Sequence, residues 1–260
     1  MANHQTIIAE IIPAKLHEIE QRENVRILHC VESGSRAWGF ASPDSDYDVR
    51  FIYVRTAEDY LRLDKTRDVI EWQLDETLDI SGWDLQKALR LLHSSNPTLF
   101  EWIASPLVYK TTPEWARISA VASRFFQPKA MLCHYLHTAR KNCRACCEGD
   151  LVKLKRYFYA LRPILACRWI LENRTPPPML FTELADAFLD PAMAPAVREL
   201  LRRKMETPEV GMIPADAALN DYLNASLEAL EPLIHAFPRV TPVGWDALNR
   251  LFLEALLPAG

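Results

Sequence analysis

The pattern of apolar residues changes at about Pro128, and this change limits the fold more than any other feature of the sequence. Before Pro128, short apolar runs alternate with helical patterns, whereas after it apolar residues recur three and four positions apart, as on the faces of helices. We therefore predict an α+β chain with two lobes. A small mixed β-sheet flanked by helices is expected over residues 1–127, and an all-helical lobe over residues 128–260.

The same periodicity predicts the individual elements of both lobes. In the first lobe we predict a helix over roughly residues 5–22, strands at 25–31 and 47–54, and a strand pair at 68–74 and 77–80. Asp84 and Asn96 are the predicted N-caps of the next two helices, and Pro97 follows Asn96 at the first helical position. In the second lobe we predict helices around 129–147, 151–172, 180–189, 193–205, 215–235 and 243–257. Pro163 is expected to disturb the second of these helices.

The charge balance and the lack of a long apolar run exclude several classes of protein. With 30 Lys and Arg against 34 Asp and Glu, the net charge of −4 argues against non-specific coating of nucleic acid. No stretch approaches the roughly 18 apolar residues that span a bilayer, and the N-terminal sequence lacks a signal-peptide pattern. We expect a cytoplasmic protein with no membrane partner, whose six cysteines are reduced.

Two acidic residues, Asp46 and Asp48, stand at the start of the apolar strand predicted over residues 47–54. Side chains two positions apart point to the same face of a strand, so these two carboxylates are expected side by side. Adjacent carboxylates repel each other, but paired oxygen ligands suit Mg²⁺ or Mn²⁺, which in turn bind substrate phosphates. Asp79 is the candidate third carboxylate because it interrupts an apolar run, and a charge in such a run needs a partner. Asp75 and Asp84 are weaker alternatives, since a turn and a helix cap explain them.

The segment before the acid pair contains Gly34-Ser35-Arg36 directly after a predicted strand. A glycine there lets the backbone N–H groups approach a triphosphate closely, because no Cβ blocks the approach. Arg36 is a candidate to pair with phosphate through its planar set of donors. We assign Ser45, beside the acid pair, to the same candidate nucleotide-binding set.

Gly-Ser followed after ten residues by Asp-hydrophobic-Asp-hydrophobic resembles the signature of the polymerase-beta nucleotidyltransferase superfamily. The wider text GSRAWGFASPDSDYDVRFIYVR, with LDISGWDLQKAL and NPTLFEWI after it, is similar to the RNA-ligase-associated branch of that superfamily. The resemblance spans roughly residues 25–110, with a weaker continuation over residues 155–163. It implies that Gly34 and Ser35 contact the triphosphate, that Asp46 and Asp48 bind the metal ions, and that Asp79 completes the carboxylate set.

Two groups of residues in the second lobe have a functional and a structural interpretation. Lys155, Tyr159 and Arg162 share one helical face, which either lines a nucleotide cleft opposite the acidic lobe or is a solvated surface. The Cys-x-x-Cys spacing of Cys143 and Cys146 suits half of a zinc site, but the second half is missing. We interpret these cysteines as packing residues.

The leading functional hypothesis is transfer of a nucleoside monophosphate from a nucleoside triphosphate to an acceptor hydroxyl, with Mg²⁺ or Mn²⁺ as cofactor and release of pyrophosphate. The association with RNA ligases makes an RNA end one candidate acceptor; a protein side chain and a small molecule stay open. A catalytically silent nucleotide-binding or antitoxin-like module is the main alternative. A metal-dependent glycosyltransferase is a further alternative, although the large doubly wound nucleotide lobe expected of one is missing from the predicted elements.

Overall fold

A computed structural model describes residues 4–64, 66–74, 77–206, 208 and 211–257 of the chain. Its main sheet has five strands in the order β3-β4-β2-β1-β5. The strands are β1 (Arg26–Glu32), β2 (Tyr47–Val54), β3 (Val69–Leu74), β4 (Leu78–Asp84) and β5 (Val108–Thr111). The four strands predicted in this region are confirmed within a few residues. The fifth strand, β5, was not predicted, because its sequence is short and partly polar.

The sheet is mixed, as predicted, because β2 and β4 run parallel while the other neighbouring strands run antiparallel. In the pairing of β2 with β4, Asp48 lies opposite Asp79 and Phe51 lies opposite Gly82. Alternation along β2 sends Val49, Phe51 and Tyr53 to one face of the sheet. Parallel pairing therefore fixes two acidic residues at the same level of two adjacent strands.

The first face of the sheet is covered by the N-terminal helical segment. This segment consists of α1 (His4–Thr6), a π-helical turn (Ile7–Ile11) and α2 (Ile12–Glu23). Ile12, Leu16 and Ile19 are buried there in one apolar cluster with Val49 and Phe51. The helix predicted over residues 5–22 is confirmed. Its apolar residues recur on one side of the helix, and this apolar side packs against the sheet.

The second face of the sheet, which includes Leu28 and Ile52, belongs to an apolar cluster shared with later helices. The helices of the first part are α3 (Gly34–Ala37), α4 (Ala57–Tyr60), α5 (Leu85–His93), α6 (Pro97–Ala104), α7 (Pro113–Val121) and a 3-10 turn (Ala122–Phe125). Asp84 and Asn96 cap α5 and α6 as predicted, accepting hydrogen bonds from the backbone N–H groups of Gln86 and Leu99. Asp84 is thus accounted for as a cap, and it is also held by the Tyr60 hydroxyl at 2.8 Å.

The second part of the chain is helical, as predicted. Its helices are α8 (Pro128–Cys146), α9 (Leu154–Asn173), α10 (Phe181–Phe188), α11 (Ala194–Glu206), α12 (Ala217–Ala236) and α13 (Asp246–Leu256). None of the helices in the described part of the chain is long and apolar enough to cross a membrane.

Two details of the helical part differ from the prediction. Residues 151–153 do not begin α9 but form β6 (Leu151–Lys153), which pairs with β7 (Met212–Pro214) in a two-stranded ribbon. Pro163 does not interrupt α9, which continues through it. The residues on both sides, Arg162 and Ile164, are buried. Their packing against the surrounding helices compensates for the backbone hydrogen bond that proline cannot donate.

The core is continuous across the predicted boundary between residues 127 and 128. One apolar cluster contains Leu28 and Ile52 of the sheet together with Phe158 of α9. The last helix also returns to the first part, where the carbonyl oxygen of Ala255 accepts a hydrogen bond from Arg26 at 2.6 Å. The division into lobes at residue 128 stays a prediction. The last helix of the second part contacts β1 of the first part through this hydrogen bond.

The cysteine-rich end of α8 has the character of a packing surface. Cys143 and Cys146 are buried, and burial raises the pKa of each thiol to about 12. Among the described residues, no group of three or more His, Cys, Asp or Glu side chains is arranged to hold a metal ion. The interpretation of these cysteines as apolar packing is in keeping with this environment.

We predict that His29 makes the fold sensitive to acid. This residue of β1 is buried and stacks on Trp115 at 4.9 Å, and burial lowers its pKa from 6.5 to about 4. As the pH falls below 6.5, the unfolded chain binds a proton that the folded chain refuses, so stability should decline until the pH reaches about 4. Over that range the loss should approach about 3 kcal/mol.

Urea unfolding of the wild type and of His29→Phe between pH 7 and 4 measures this effect. The variant should lose less stability on acidification, whereas His17→Phe, on the exposed side of α2, should behave as the wild type. Parallel pH profiles for the wild type and His29→Phe would contradict the prediction.

Candidate functional site

The parallel pairing of β2 and β4 sets the geometry of the acidic edge. Asp48 of β2 lies directly opposite Asp79 of β4, and their side chains are 22% and 28% exposed. Both carboxylates therefore reach solvent at one edge of the sheet. Asp46 lies just before β2, outside any helix or strand, and is half-buried. Asp75, the weaker alternative, lies outside the described residues.

Arg50 connects the two carboxylates of this edge. Its Nη2 atom donates to Oδ1 of Asp48 and to Oδ2 of Asp79, both at 2.7 Å, and its Nη1 atom donates to Oδ1 of Asp79 at 3.0 Å. The guanidinium also bonds the backbone carbonyl of Asp79 at 2.7 Å. Since Arg50 is two positions after Asp48 on the same strand, it shares the face of Asp48 and offsets the repulsion between the two acids. The sequence analysis missed Arg50, although the same two-residue spacing identifies it.

Gly34 forms the floor beside Asp48. Its φ of +60° is in the left-handed region, and a Cβ built on it would lie 1.9 Å from Oδ2 of Asp48. The preceding residue, Ser33, donates its backbone N–H to the Asp48 carbonyl at 2.8 Å. Glycine is required here on two counts, conformation and space, and the result is a backbone that approaches the acidic edge closely.

A chain of buried hydroxyl groups supports the segment around Gly34. Ser35 donates to Oγ of Ser45 at 3.2 Å, and the Ser45 hydroxyl in turn lies 2.9 Å from that of Ser42. Lys204 of α11 donates to the Ser42 hydroxyl at 2.7 Å and is only 3% exposed. A cation from the helical part thus reaches the loop that precedes the acid pair, a contact 162 residues apart in sequence.

Arg36 fastens α3 to the residues before β2. Its Nε and Nη2 atoms donate to the backbone carbonyls of Asp46 and Ser45 at 2.9 and 2.5 Å, and its guanidinium lies 3.9 Å from the ring centre of Tyr47. In this structure Arg36 therefore fixes the approach to Asp46.

Glu32 is a further acid that the sequence analysis did not select. It is fully buried at the end of β1, where Oε1 accepts the backbone N–H of Asp48 at 2.7 Å and Oε2 accepts the hydroxyl of Tyr109. Burial raises the pKa of Glu32 to about 7. Glu32 therefore anchors the backbone of Asp48. A charged residue at the end of an apolar strand is the sequence signal that could have identified it.

Two residues of the helical face predicted from the sequence, Tyr159 and Arg162, contact Trp38, the residue that follows α3. Arg162 is 3% exposed, donates to Oε1 of Glu101 at 2.6 Å and lies 4.6 Å over the ring of Trp38. Its burial excludes the solvated-surface interpretation for Arg162. Tyr159 meets the edge of Trp38 at 5.1 Å between ring centres, and Lys155 is half-buried one turn earlier in α9.

Trp38, Tyr159 and Arg162 line a cavity of about 220 Å³, which we call the Trp38 cavity. Residues of α6 and α8, among them Glu101 and Tyr135, complete its wall. The cavity adjoins α3, since the backbone N–H of Trp38 donates to the carbonyl of Gly34 at 3.0 Å.

The close fit of Gly34 against Asp48 predicts a specific cost of substitution. Gly34→Ala should lower the free energy of unfolding by the strain of a left-handed alanine plus the displacement of a carboxylate that Arg50 holds, together about 2–4 kcal/mol. Gly149→Ala is the matched control, because Gly149 also has a positive φ of +89° but no atom within 4 Å of the added Cβ. Urea denaturation compares the two, and equal losses would show that Asp48 moves aside at no cost.

Comparison with known proteins identifies the relatives of this chain. It is 42% identical over 246 residues to the uncharacterized protein YcgL of Bacillus subtilis (strain 168), with 93% of this chain and 94% of that protein covered. A solved structure of a nucleotidyltransferase-like protein from Exiguobacterium sibiricum 255-15 aligns with a TM-score of 0.31 and 13% identity, covering 86% of this chain and 73% of that one. The model of the RNA repair pathway DNA polymerase beta family matches residues 8–254, and the chain therefore belongs to that family.

Proposed function

We propose that the protein is a metal-dependent nucleotidyltransferase, which moves a nucleoside monophosphate from a nucleoside triphosphate to an acceptor hydroxyl and releases pyrophosphate. Membership of the polymerase beta family supports nucleotidyltransferase chemistry. The observation that carries the proposal is the pairing of Asp48 with Asp79 across two parallel strands, beside a glycine whose missing Cβ lets the backbone lie against the Asp48 carboxylate.

The carboxylates of the acidic edge are of the type that a divalent ion prefers, although in the metal-free structure no three acidic side chains among the described residues are arranged around one ion position. Asp48 and Asp79, with Asp46, would hold Mg²⁺ or Mn²⁺, since carboxylate oxygens are the ligands that these ions prefer. The Arg50 guanidinium already bridges two of these carboxylates, which indicates that the edge attracts a cation. A bound divalent ion would activate the attacking oxygen and neutralise charge that develops on the leaving pyrophosphate.

The residues around the acidic edge have distinct roles in this proposal. The backbone of Gly34 and Ser35 receives the triphosphate, while Arg36 and Ser45 keep the preceding loop in position. Lys155, Tyr159 and Arg162 form the opposite wall of the nucleotide site. Metal binding requires Asp48 and Asp79 to release Arg50, whose guanidinium then becomes available to a phosphate oxygen.

An RNA end is the acceptor that we favour. The family description refers to RNA repair, and the acceptor of a repair reaction is a strand end. The net charge of −4 agrees with recognition of an end and not of a long stretch of phosphates.

A catalytically silent nucleotide-binding or antitoxin-like module is the second candidate function. Arg50 favours it, because both carboxylates already have a cationic partner without any metal. Family membership gives no support to the glycosyltransferase alternative. The two remaining candidates differ in one respect, namely whether label is transferred from a nucleotide to an acceptor.

Asp48→Asn is predicted to abolish transfer while leaving the fold intact. Asparagine keeps an oxygen that accepts from Arg50, so the free energy of unfolding should change by about 1 kcal/mol. Loss of one ligand charge should lower the rate roughly 10³-fold or more. The assay incubates the protein with each labelled triphosphate, Mg²⁺ or Mn²⁺, and total RNA or protein, and measures covalent label.

Asp221→Asn, the same chemical change on the exposed face of α12, is the matched control and should retain full transfer. Absence of transfer by the wild type with every triphosphate and acceptor, together with retained nucleotide binding, would favour the silent module. Full activity of Asp48→Asn would remove the acidic edge from the mechanism.

Arg50→Met is predicted to tighten Mg²⁺ binding. The wild-type guanidinium competes with the metal for Asp48 and Asp79, so its removal should increase Mg²⁺ affinity about tenfold, and the metal-free protein should become less stable. Calorimetric titration and thermal unfolding measure the two effects. Arg67→Met, which removes an exposed arginine beside Glu71, should change neither. Weaker Mg²⁺ binding by Arg50→Met would mean that Arg50 supports the metal site instead of competing for it.

A further inference from the structure

A small cavity lies where the start of α9 meets the end of α11. We call it the Arg203 cavity, and its volume is about 100 Å³. Among the described residues, the charged side chains that line it are Lys155 of α9 with Arg203 and Lys204 of α11, and all three are cations. Met212 and Ile213 add an apolar part of the wall. Three cations around one cavity favour an anion as its occupant.

Two of the three cations are accessible to a ligand. Arg203 is exposed and Lys155 is half-buried, so both side chains reach solvent. No hydrogen bond or ion pair from the described residues holds the Arg203 guanidinium. Its neighbour Arg202, by contrast, is paired with Glu199 and Glu206 at 2.8 and 2.5 Å. The donors of Arg203 are therefore available to a ligand in the cavity.

The size and the donors of the cavity suit a phosphate group. Sites that enclose a drug-sized molecule measure roughly 300–1,000 Å³, so this cavity admits one small group and not a whole nucleotide. The planar guanidinium of an arginine pairs with two phosphate oxygens, and a lysine ammonium adds a compact positive charge. The chemistry of the wall therefore fits a phosphate ester.

Lys204 connects the cavity to the loop that precedes the acid pair. It is 3% exposed and donates to the Ser42 hydroxyl at 2.7 Å. The Ser42 hydroxyl lies 2.9 Å from that of Ser45, which is next to the acid pair. Lys204 is thus the structural link to the acidic edge, whereas direct contact with a ligand falls to Arg203 and Lys155.

Lys155 connects the cavity to the proposed nucleotide site. Tyr159 follows it one turn later on α9 and lines the Trp38 cavity. The Arg203 cavity therefore lies between the wall of the nucleotide site and the loop before the acid pair. An anion held there would be adjacent to the nucleotide without occupying its place.

Further cations lead away from the cavity over the surface. Residues 141–156, from the end of α8 to the start of α9, contain five Lys and Arg against Glu148 and Asp150, although the whole chain has a net charge of −4. The exposed cations outside the cavity are Lys141, Arg144, Lys153 and Arg156. Arg156 donates to the carbonyl of Ala145 at 3.0 Å, which joins the two helix ends into one surface. A triphosphate is too short to use this surface, whereas a nucleic-acid strand presents a phosphate at every step.

We propose that the Arg203 cavity binds a phosphate group of the RNA acceptor, with Arg203 and Lys155 as its direct contacts. This inference rests on the proposed function and identifies the surface on which the acceptor lies. Phosphate contacts fix the position of a strand without reading its sequence. The cavity would therefore place RNA ends of different sequence at the acidic edge.

Arg203→Gln tests this assignment, and Arg202→Gln is the matched control. Both changes remove one positive charge from the exposed end of α11, but Arg202 lies outside the described lining of the cavity. Filter binding measures the affinity of the full-length protein for an internally labelled single-stranded RNA of mixed sequence at several salt concentrations. Calorimetry measures the affinity for ATP with Mg²⁺.

Arg203→Gln should weaken RNA binding roughly fivefold and reduce the slope of log affinity against log salt by about 0.7, the loss of one phosphate contact on a single strand. Its affinity for ATP with Mg²⁺ should stay within about twofold of the wild type, because the cavity is separate from the nucleotide site. Arg202→Gln should bind both ligands as the wild type does.

RNA with a 5′-phosphate and the same RNA with a 5′-hydroxyl identify the phosphate that is bound. Loss of affinity confined to the phosphorylated RNA would assign the cavity to a terminal phosphate, and an equal loss for both RNAs would assign it to the backbone. Either result supports the inference.

The remaining outcomes separate failure of this inference from failure of the proposed function. Equal RNA binding by Arg203→Gln and Arg202→Gln overturns the cavity assignment, and so does a larger loss of ATP affinity than of RNA affinity in Arg203→Gln. Absence of RNA binding by the wild type also overturns it, and label transfer to another acceptor would leave the transferase proposal standing. If the wild type binds RNA through Arg203 yet transfers no label from any triphosphate, the proposed function fails and the cavity remains an RNA site.

Discussion

The contact of Arg50 with Asp48 and Asp79 is the interaction on which the acidic edge depends. Parallel pairing of β2 with β4 brings two carboxylates to the same level, and without a cation their repulsion would oppose that register. The guanidinium, itself mostly buried, satisfies both acids and the backbone carbonyl of Asp79. The strand pairing that creates the site is thus stable in the metal-free protein because the chain supplies its own cation.

The helical part of the chain contributes directly to this edge. Lys204 of α11 holds the serine hydroxyl chain behind Gly34, and Arg162 of α9 stacks on Trp38, which ends the turn that Gly34 begins. Both cations are 3% exposed, and Lys204 donates to a Ser42 hydroxyl while Arg162 is paired with Glu101. Removing either would leave buried partners unsatisfied, so the conformation of the segment around Gly34 is determined by helices far away in sequence.

Local patterns in the sequence were sufficient for most elements and for placing Asp48 and Asp79 on the strands of the sheet; their role as metal ligands stays a prediction. Strand alternation fixes the face of Asp48, and a charge within an apolar run marks Asp79. The role of Arg50 does not follow from the pattern of acidic ligands, because a cation is not a metal ligand, although it lies two positions further on the same face. Lys204 and the Arg162–Glu101 pair could not be predicted, since they depend on contacts between distant segments. The β6–β7 ribbon was missed because three-residue strands leave no periodic signal.

The carboxylates of the acidic edge already have a cationic partner in the unliganded protein. At the acidic edge Arg50 already compensates the carboxylates, so a metal gains only the difference between its own interaction and that of the guanidinium. Under the proposed function, the metal site would therefore assemble efficiently only after a nucleotide is bound, because phosphate oxygens would then be available both to the ion and to the released Arg50.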